Sequence, residues 1–334
     1  MVYIYRKIIH DEPYYYLRAS TRVNGKIVVK DIAYLGSSLS DVEANLAKLL
    51  QYKKEIRKAY KTIKKVLETE HYVNKAKELK IKETPYFDKE LLYQIEAIKL
   101  HFHQRFLSLD ATTVHEAYKN FLIDFAFNTA SLEGNTITLA ETQRLLRENL
   151  SPKNKTLREI YDIQNTEKIF FEILHSKHKI DHTFIISIHD KLLENIDVRK
   201  GYRTHDIRVF GKRFEATPFS YIRTDMDILL KWLEKNEDSL HPLALAGMFH
   251  HKFEKIHPFS DGNGRTGRML MNYILFQKEY PFFIVRKAKR SDYLNALTHA
   301  DHADLTKIDS KYYRRLTIFL AEEMVWSYWN NFLV

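Results

Sequence analysis

The chain has 334 residues, 45% of them hydrophobic, with only 9 glycines and 7 prolines. That is enough for one large or two moderate domains, and the composition favours helices over a turn-rich sheet fold. It contains no cysteine, which excludes disulfides, thiolate zinc sites and cysteine nucleophiles. The net charge of +10 is concentrated at the start: residues 1–90 hold 19 Lys/Arg against 12 Asp/Glu, a surplus of 7.

The first 36 residues read as a small three-stranded β-sheet. Tyr3-Ile4-Tyr5 and Tyr14-Tyr15-Tyr16-Leu17 are rich in aromatics that favour strands, and Ile27-Val28-Val29 is largely β-branched. Asp11-Glu12-Pro13 marks the first turn. Asn24-Gly25 marks the second, where a type I′ hairpin needs positive φ at both central residues. Such a sheet buries too little to stand alone, so a packing partner is expected.

Residues 37–85 read as a long basic helix and linker. Ser40-Asp41-Val42-Glu43 predicts a capping box, and Val42, Leu46, Leu49, Ile56, Tyr60, Ile63 and Leu67 form a near-heptad stripe. Lys53, Lys54, Arg57, Lys58, Lys61, Lys64 and Lys65 crowd the same helix. A solvated face is the plain reading of these charges. The sharper one is a surface for nucleic acid or an acidic protein, since Tyr3, Tyr5, Tyr14, Tyr15 and Tyr16 interleave with Arg6, Lys7 and Arg18 in residues 1–80.

Thr84-Pro85 marks a boundary, and residues 86–334 read as a helical domain. Apolar periodicity predicts helices at about 88–108, 112–130, 139–149, 156–178, 182–195, 222–236, 241–255, 265–278, 290–301 and 310–330. Arg208-Val209-Phe210-Gly211-Lys212-Arg213-Phe214 reads instead as a small β-hairpin. No apolar run approaches the roughly 20 residues of a membrane span. Met1 to Lys7 lacks a signal-peptide core, so a cytoplasmic protein with no membrane partner is expected.

The chemistry concentrates in residues 257–268. His257 ends a predicted helix, Pro258 stops that helix from continuing, and a neutral imidazole there can take a proton from a hydroxyl near pH 7. Phe259 reads as an anchor. Asp261 is a hard oxygen ligand of the kind Mg²⁺ takes beside substrate phosphates. Gly262 and Gly264, around Asn263, let backbone N–H groups curl into an anion nest at a helix N-terminus. Arg265 and Arg268 then fall in the first turns of that helix, where they can grip phosphate oxygens. A calcium loop is excluded because Arg265 stands where a third oxygen ligand is required.

Read position for position, His257 to Arg268 resembles the signature of the Fic family, H-x-F-x-[D/E]-G-N-G-R-x-x-R. The likeness extends over about 110–305: residues 241–251 resemble the helix before the motif, Arg208–Phe214 the flap that clamps the target segment, and Tyr293–Leu297 a helix near the base. It does not reach residues 1–85. The resemblance implies a mainly α protein with a Fic-fold helical core and a β-hairpin flap, preceded here by the small sheet and long helix. It also implies transfer of AMP from ATP to a Ser, Thr or Tyr hydroxyl of a protein, the chain itself included. His257 would be the general base and Asp261 the Mg²⁺ ligand. Gly262, Asn263 and Gly264 would line the anion hole, Arg265 would contact the phosphates, and Arg268 would position the γ-phosphate.

Within 129–135, Thr129, Glu133 and Gly134 fit the family's inhibitory motif, [S/T]-x-x-x-E-[G/N]. Alone, Glu133 reads as a solvated or capping residue at a helix end closed by Gly134. By resemblance it would pair with Arg268 and keep ATP in a nonproductive pose, or align a water that removes AMP from a modified protein. A nonenzymatic binding module of the same fold is the alternative of another class, and the intact His257 argues against it.

Overall fold

The computed structural model describes residues 2–10, 12–207 and 215–333. The hairpin expected at Arg208–Phe214 lies outside them. The chain divides into two compact units, residues 1–80 and 81–332.

In the first unit, β1 (Val2–Ile9), β2 (Glu12–Val23) and β3 (Lys26–Gly36) form an antiparallel sheet in that order. Val23 pairs with Lys26 across the two-residue turn, and Asn24 and Gly25 take φ of 49° and 78°, as the I′ geometry requires. Side chains alternate across the sheet. Val2, Ile4, Tyr15, Leu17 and Leu35 point to one face and meet Val42, Ala59 and Ile63 in a buried core.

The long helix expected after the sheet is broken. It runs as α1 (Leu39–Lys48), a 3₁₀ turn (Leu50–Tyr52), α2 (Lys53–Lys58) and α3 (Tyr60–Lys77). The backbone leaves the helical region at Leu49 (φ −81°, ψ 60°) and again at Ala59 (φ −93°, ψ 6°). The apolar residues explain it: Leu46, Leu49, Ile56 and Ile63 all pack on the sheet core, and a straight rod would run off so small and twisted a surface. The break at Ala59 resets the helical phase, so Ala59 is buried whereas Tyr60, expected in the stripe, is 60% exposed. The cap also differs from expectation. Ser38, not Ser40, accepts the hydrogen bond from the Asp41 N–H, 3.2 Å away.

The second unit is helical throughout: α4 (Lys89–His101), α5 (Ala111–Leu132), α6 (Leu139–Glu148), α7 (Leu157–Leu174), α8 (His182–Leu192), α9 (Ile222–Asn236), α10 (Pro242–Ile256), α11 (Asn263–Gln277), α12 (Arg290–Ala300) and α13 (Ser310–Asn331). α4 continues through a π-helical turn, Phe102–Phe106. α10 and α11 pack on each other at the centre, flanked by α9 and α13 and by α7 and α8. Met269–Leu275, the apolar run after the loop, is buried along its whole length. Two buried helices thus present their meeting ends, His257 and Asn263, from a rigid support. Among the described residues no helix is long and apolar enough to cross a membrane.

Candidate active site

The end of α10 sets the position of His257. Its N–H still bonds the Phe253 carbonyl (3.0 Å), but its backbone turns left-handed at φ 52°, which Pro258 then locks by preventing further helix. His257 Nδ1 lies 3.2 Å from the Glu254 carbonyl oxygen. A carbonyl only accepts, so in the neutral ring the proton sits on Nδ1 and the lone pair on Nε2.

The loop between the helices is cross-braced. Asn263 Oδ1 accepts from the Phe259 N–H (2.9 Å), and its Nδ2 donates to the Phe259 carbonyl (2.8 Å). The Phe259 ring is buried and lies flat against His189, with centroids 3.6 Å apart, and His189 Nε2 is 3.1 Å from the Asp261 carbonyl oxygen. Gly262 takes φ 74°, and a side chain there would collide with Leu193. From this turn α11 begins, leaving the first-turn N–H groups without intrahelical acceptors.

A cleft of about 250 Å³ opens at this helix end. His257, Ser260, Asp261, Gly262, Asn263 and Gly264 line it from the loop, Glu133 and Leu132 from α5, and Arg290, Tyr293, Leu294 and Leu297 from α12, with Arg268 at its floor. Of the candidate base, metal ligand, phosphate-binding and inhibitory residues, only Arg265 does not line it; Thr129, Gly134 and Phe259 also lie outside the lining.

Arg265 is buried and forms an ion pair with Asp162 of α7, its other Nη lying 3.9 Å from Asp261 Oδ1. Its guanidinium supports the loop from beneath and does not line the cleft. Asp261 has a second cationic neighbour, because Arg158, in the first turn of α7, pairs with its Oδ2. Burial would raise the Asp261 carboxyl, but the Arg265 and Arg158 guanidiniums outweigh it and hold the group below the usual range.

α5 delivers the acidic partner. The Gly134 N–H bonds the Ser131 carbonyl (3.1 Å) and the Asn135 N–H the Ala130 carbonyl (3.2 Å), a Schellman closure that puts Gly134 at φ 98°. Arg290 Nε caps the Leu132 carbonyl at 3.0 Å. The chain just beyond is fixed to α7, where Glu159 accepts from the Thr136 N–H and hydroxyl. Those bonds and the ones from Thr156 hold the Glu159 carboxyl down at about 2.

So fixed, Glu133 reaches Arg268. Arg268 Nη2 is 2.8 Å from Glu133 Oε1 and 3.0 Å from the Thr129 carbonyl, and its Nε is 2.8 Å from the Thr129 hydroxyl. Burial opposes the Arg268 charge, yet Glu133 and then Tyr293 more than offset it, so its pKa is raised. A Cβ at Gly264 would overlap Glu133 Oε1, which places that carboxylate at the N-terminal mouth of α11. The glycine is required there by close approach.

Sequence reasoning missed Arg158, Asp162, His189 and Arg203. Arg203 is buried, its Nε donates to the His257 carbonyl (2.9 Å), and its N–H donates to the Pro258 carbonyl (2.9 Å). Its other nitrogens reach the carbonyls of His205 and Thr217. None of the four lies in a local pattern that periodicity or a short motif could reveal. The histidine pairs His101/His103 and His250/His251 bond Tyr328, the Glu279 carbonyl, Tyr293 and Asp301 respectively.

Residues 179–275 match the model of the Fic/DOC family. The chain is 28% identical over 225 residues to Protein adenylyltransferase Fic of Nematostella vectensis, covering 65% of this chain and 52% of that protein. It is 32% identical over 202 residues to the protein of that name from Drosophila sechellia, covering 58% and 40%. The chain therefore spans about half the length of the relatives it matches. Among solved structures, a Fic domain containing signaling protein from Bacteroides thetaiotaomicron aligns with a TM-score of 0.63 at 24% identity, over 71% of this chain and 94% of that one. Fic-1 from C. elegans aligns with a TM-score of 0.61 at 22% identity, over 88% and 92%; both likenesses speak to the fold. Residues 179–275 thus carry the match to the Fic/DOC family, and the helical fold around them is shared with these structures.

Proposed function

We propose that this chain transfers AMP from ATP to a hydroxyl of a protein, and that Glu133 restrains the reaction. The observation that carries the reading is the grouping in one cleft of a proton acceptor at His257, a helix N-terminus at Gly262–Gly264 and the Arg268 guanidinium. The adenylyltransferase names of the relatives support it. His257 Nε2 would accept the proton of the target hydroxyl as its oxygen attacks the α-phosphorus, and pyrophosphate would leave as the P–O bond to it breaks. The N–H groups at the start of α11 would receive negative charge on the phosphates, and Arg268 would hold the γ-phosphate. Arg265 would join them only by exchanging Asp162 for a phosphate oxygen.

Asp261 is a single hard carboxylate lining the cleft, a donor set that suits Mg²⁺ when phosphate oxygens complete the shell. Magnesium held there would neutralise phosphate charge.

A second reading uses the same residues. Glu133 is 43% exposed at the side chain and stands in the cleft with His257, so it could align a water that strips AMP from a modified protein. Mass spectrometry of wild type and Glu133→Gly, each incubated with ATP and magnesium, tests both readings. The transferase reading expects AMP on the Glu133→Gly protein or an added target, and none on Glu133→Gly/His257→Ala. Absence of modification by Glu133→Gly would sink it, and removal of AMP from a modified target by wild type alone would favour the eraser.

A further inference from the structure

The chemistry proposed above uses no residue before Thr129, which leaves the sheet of the first unit without a role. One of its faces is filled by the core around Val2, Ile4, Leu17 and Leu35. The alternate residues emerge on the other face: Tyr3 and Tyr5 from β1, Tyr14, Tyr16 and Arg18 from β2, and Tyr34 from β3. The register brings them together, since Tyr5 pairs with Tyr16, Tyr16 with Tyr34, and Tyr3 with Arg18. The Tyr34 ring, 51% exposed, lies 5.3 Å from Tyr16 and 6.2 Å from Tyr14, and the Arg18 guanidinium sits 3.4 Å over Tyr5.

Five tyrosines on a face that the unit's own core does not use are more than solubility requires. The charge of the unit adds direction. Residues 1–80 carry 17 Lys/Arg and 9 Asp/Glu, so +8 of the chain's +10 lies in less than a quarter of its length. On this face Lys7, which pairs with Tyr14, and Arg22 are exposed cations at either side of the rings, and Asp31 binds Arg18 between them; Lys26 and Lys30 pair with Val23 and Ala19 and emerge on the other face. Along β2 the path from Tyr16 to Arg22 is about 20 Å, at the strand rise of roughly 3.3 Å per residue.

We propose that this face binds single-stranded nucleic acid. Unpaired bases would stack on the rings around Tyr16 and Tyr34 while the phosphates run between Lys7 and Arg22. An aromatic platform beside a basic track is the combination that holds unpaired strands without sequence preference, because every base has a π-face and every nucleotide a phosphate. A duplex keeps its bases stacked on each other and could use only the basic track. An acidic peptide could use the charges but not the rings.

The test is fluorescence anisotropy of a fluorescein-labelled 15-nucleotide oligo-dT with the full chain at 50 and 300 mM KCl. The proposal expects binding that weakens at least about tenfold across that salt range. Tyr14→Ala and Tyr34→Ala should each weaken it about fivefold or more, with circular dichroism unchanged. Reversal of the two exposed charges on this face, Lys7→Glu with Arg22→Glu, should weaken binding and flatten the salt dependence without touching the sheet core. No binding at 50 mM salt would overturn the proposal. So would wild-type affinity in both tyrosine variants, which would leave only generic basic attraction. Equal or tighter binding of a 15-base-pair duplex, or of polyglutamate of matched charge, would assign the face to another partner and overturn it as well.

Discussion

Arg268 donates to Glu133 Oε1 and to the Thr129 hydroxyl, both at 2.8 Å, so residues four apart on one helix hold a guanidinium that belongs to another helix. The two contacts are unequal in kind. Glu133 contributes charge and stands at the mouth of the anion nest, whereas Thr129 contributes a neutral oxygen behind it. Removing the charge alone should therefore release less than removing the side chain. Glu133→Gln is expected to raise AMP transfer, and Glu133→Gly to raise it further, by about tenfold or more over wild type. That matches the roughly 1.5–3 kcal/mol of a hydrogen bond to a charged group. Rates of label incorporation from radioactive ATP decide it, and equal rates in all three proteins would remove Glu133 as the restraint.

On the proposed function, Arg158 and a metal ion would compete for the Asp261 carboxylate. Arg158 pairs with Asp261 from an exposed position, so the pair is worth little and is readily exchanged. Arg158→Ala should tighten Mn²⁺ binding in the presence of a nonhydrolysable ATP analogue by about two- to fivefold, the scale of an exposed ion pair. Electron paramagnetic resonance of free Mn²⁺ measures this directly. Weaker metal binding in the variant would mean instead that Arg158 helps to hold the phosphates.

Arg203 is expected to matter out of proportion to its distance from the cleft. Its nitrogens engage carbonyls of His257, Pro258, His205 and Thr217, so it fixes the peptide that carries the proton acceptor. A lysine has no planar fork and leaves buried carbonyls unmet. Arg203→Lys should cost about 2–4 kcal/mol of stability, on the scale of two unsatisfied buried groups. In a Glu133→Gly background it should also lower kcat more than it raises KM. A denaturant melt and steady-state kinetics test the two halves separately, and an unaltered kcat would confine Arg203 to stability.

Lys252 should make stability depend on pH in an unusual direction. Burial, and then the neighbouring Lys255 ammonium, push its pKa down to about 7, against an ordinary value of 10.5. Its Nζ bonds the carbonyls of Lys307 (2.7 Å) and Asp304 (3.2 Å). Above pH 10.5 both the folded and unfolded forms are neutral, and the group contributes no pH-dependent penalty. As pH falls toward 7 the unfolded chain binds a proton that the folded chain does not, so the folded state loses stability, and below about 7 the loss levels off. Lys252→Met should remove this dependence. Urea midpoints at pH 7 and pH 9.5 in both proteins check it: wild type should gain more than the variant on going up, and parallel changes would refute it.

The helices, the sheet and the grouping of the loop residues were legible because each is local. The 3.6-residue period of α9 marks its buried face, Ile222, Met226, Leu229 and Leu233, and Asn24-Gly25 permits one kind of hairpin. His257, Asp261, Gly262 and Gly264 form one stretch of chain, so their proximity needed no fold to establish it. The broken helix after the sheet was not legible. A heptad stripe states which residues want burial, but whether the backbone stays straight depends on the shape of the surface beneath, here a small sheet that α1, α2 and α3 must follow.

The sequence by itself therefore determined the element types and which polar side chains the loop brings together, since both follow from neighbours along the chain. It also held Glu133 and Arg268, 135 residues apart, but only the likeness to a family joined them before the structure did. Which partner each charged side chain takes was decided by tertiary structure alone. Arg265 had phosphate as its expected partner and lies against Asp162, while Asp261 has Arg158 and Gly264 sits under the Glu133 carboxylate. The reason is physical: a long side chain on a helix end can swing to several partners. Burial and the charges brought in by other helices choose among them.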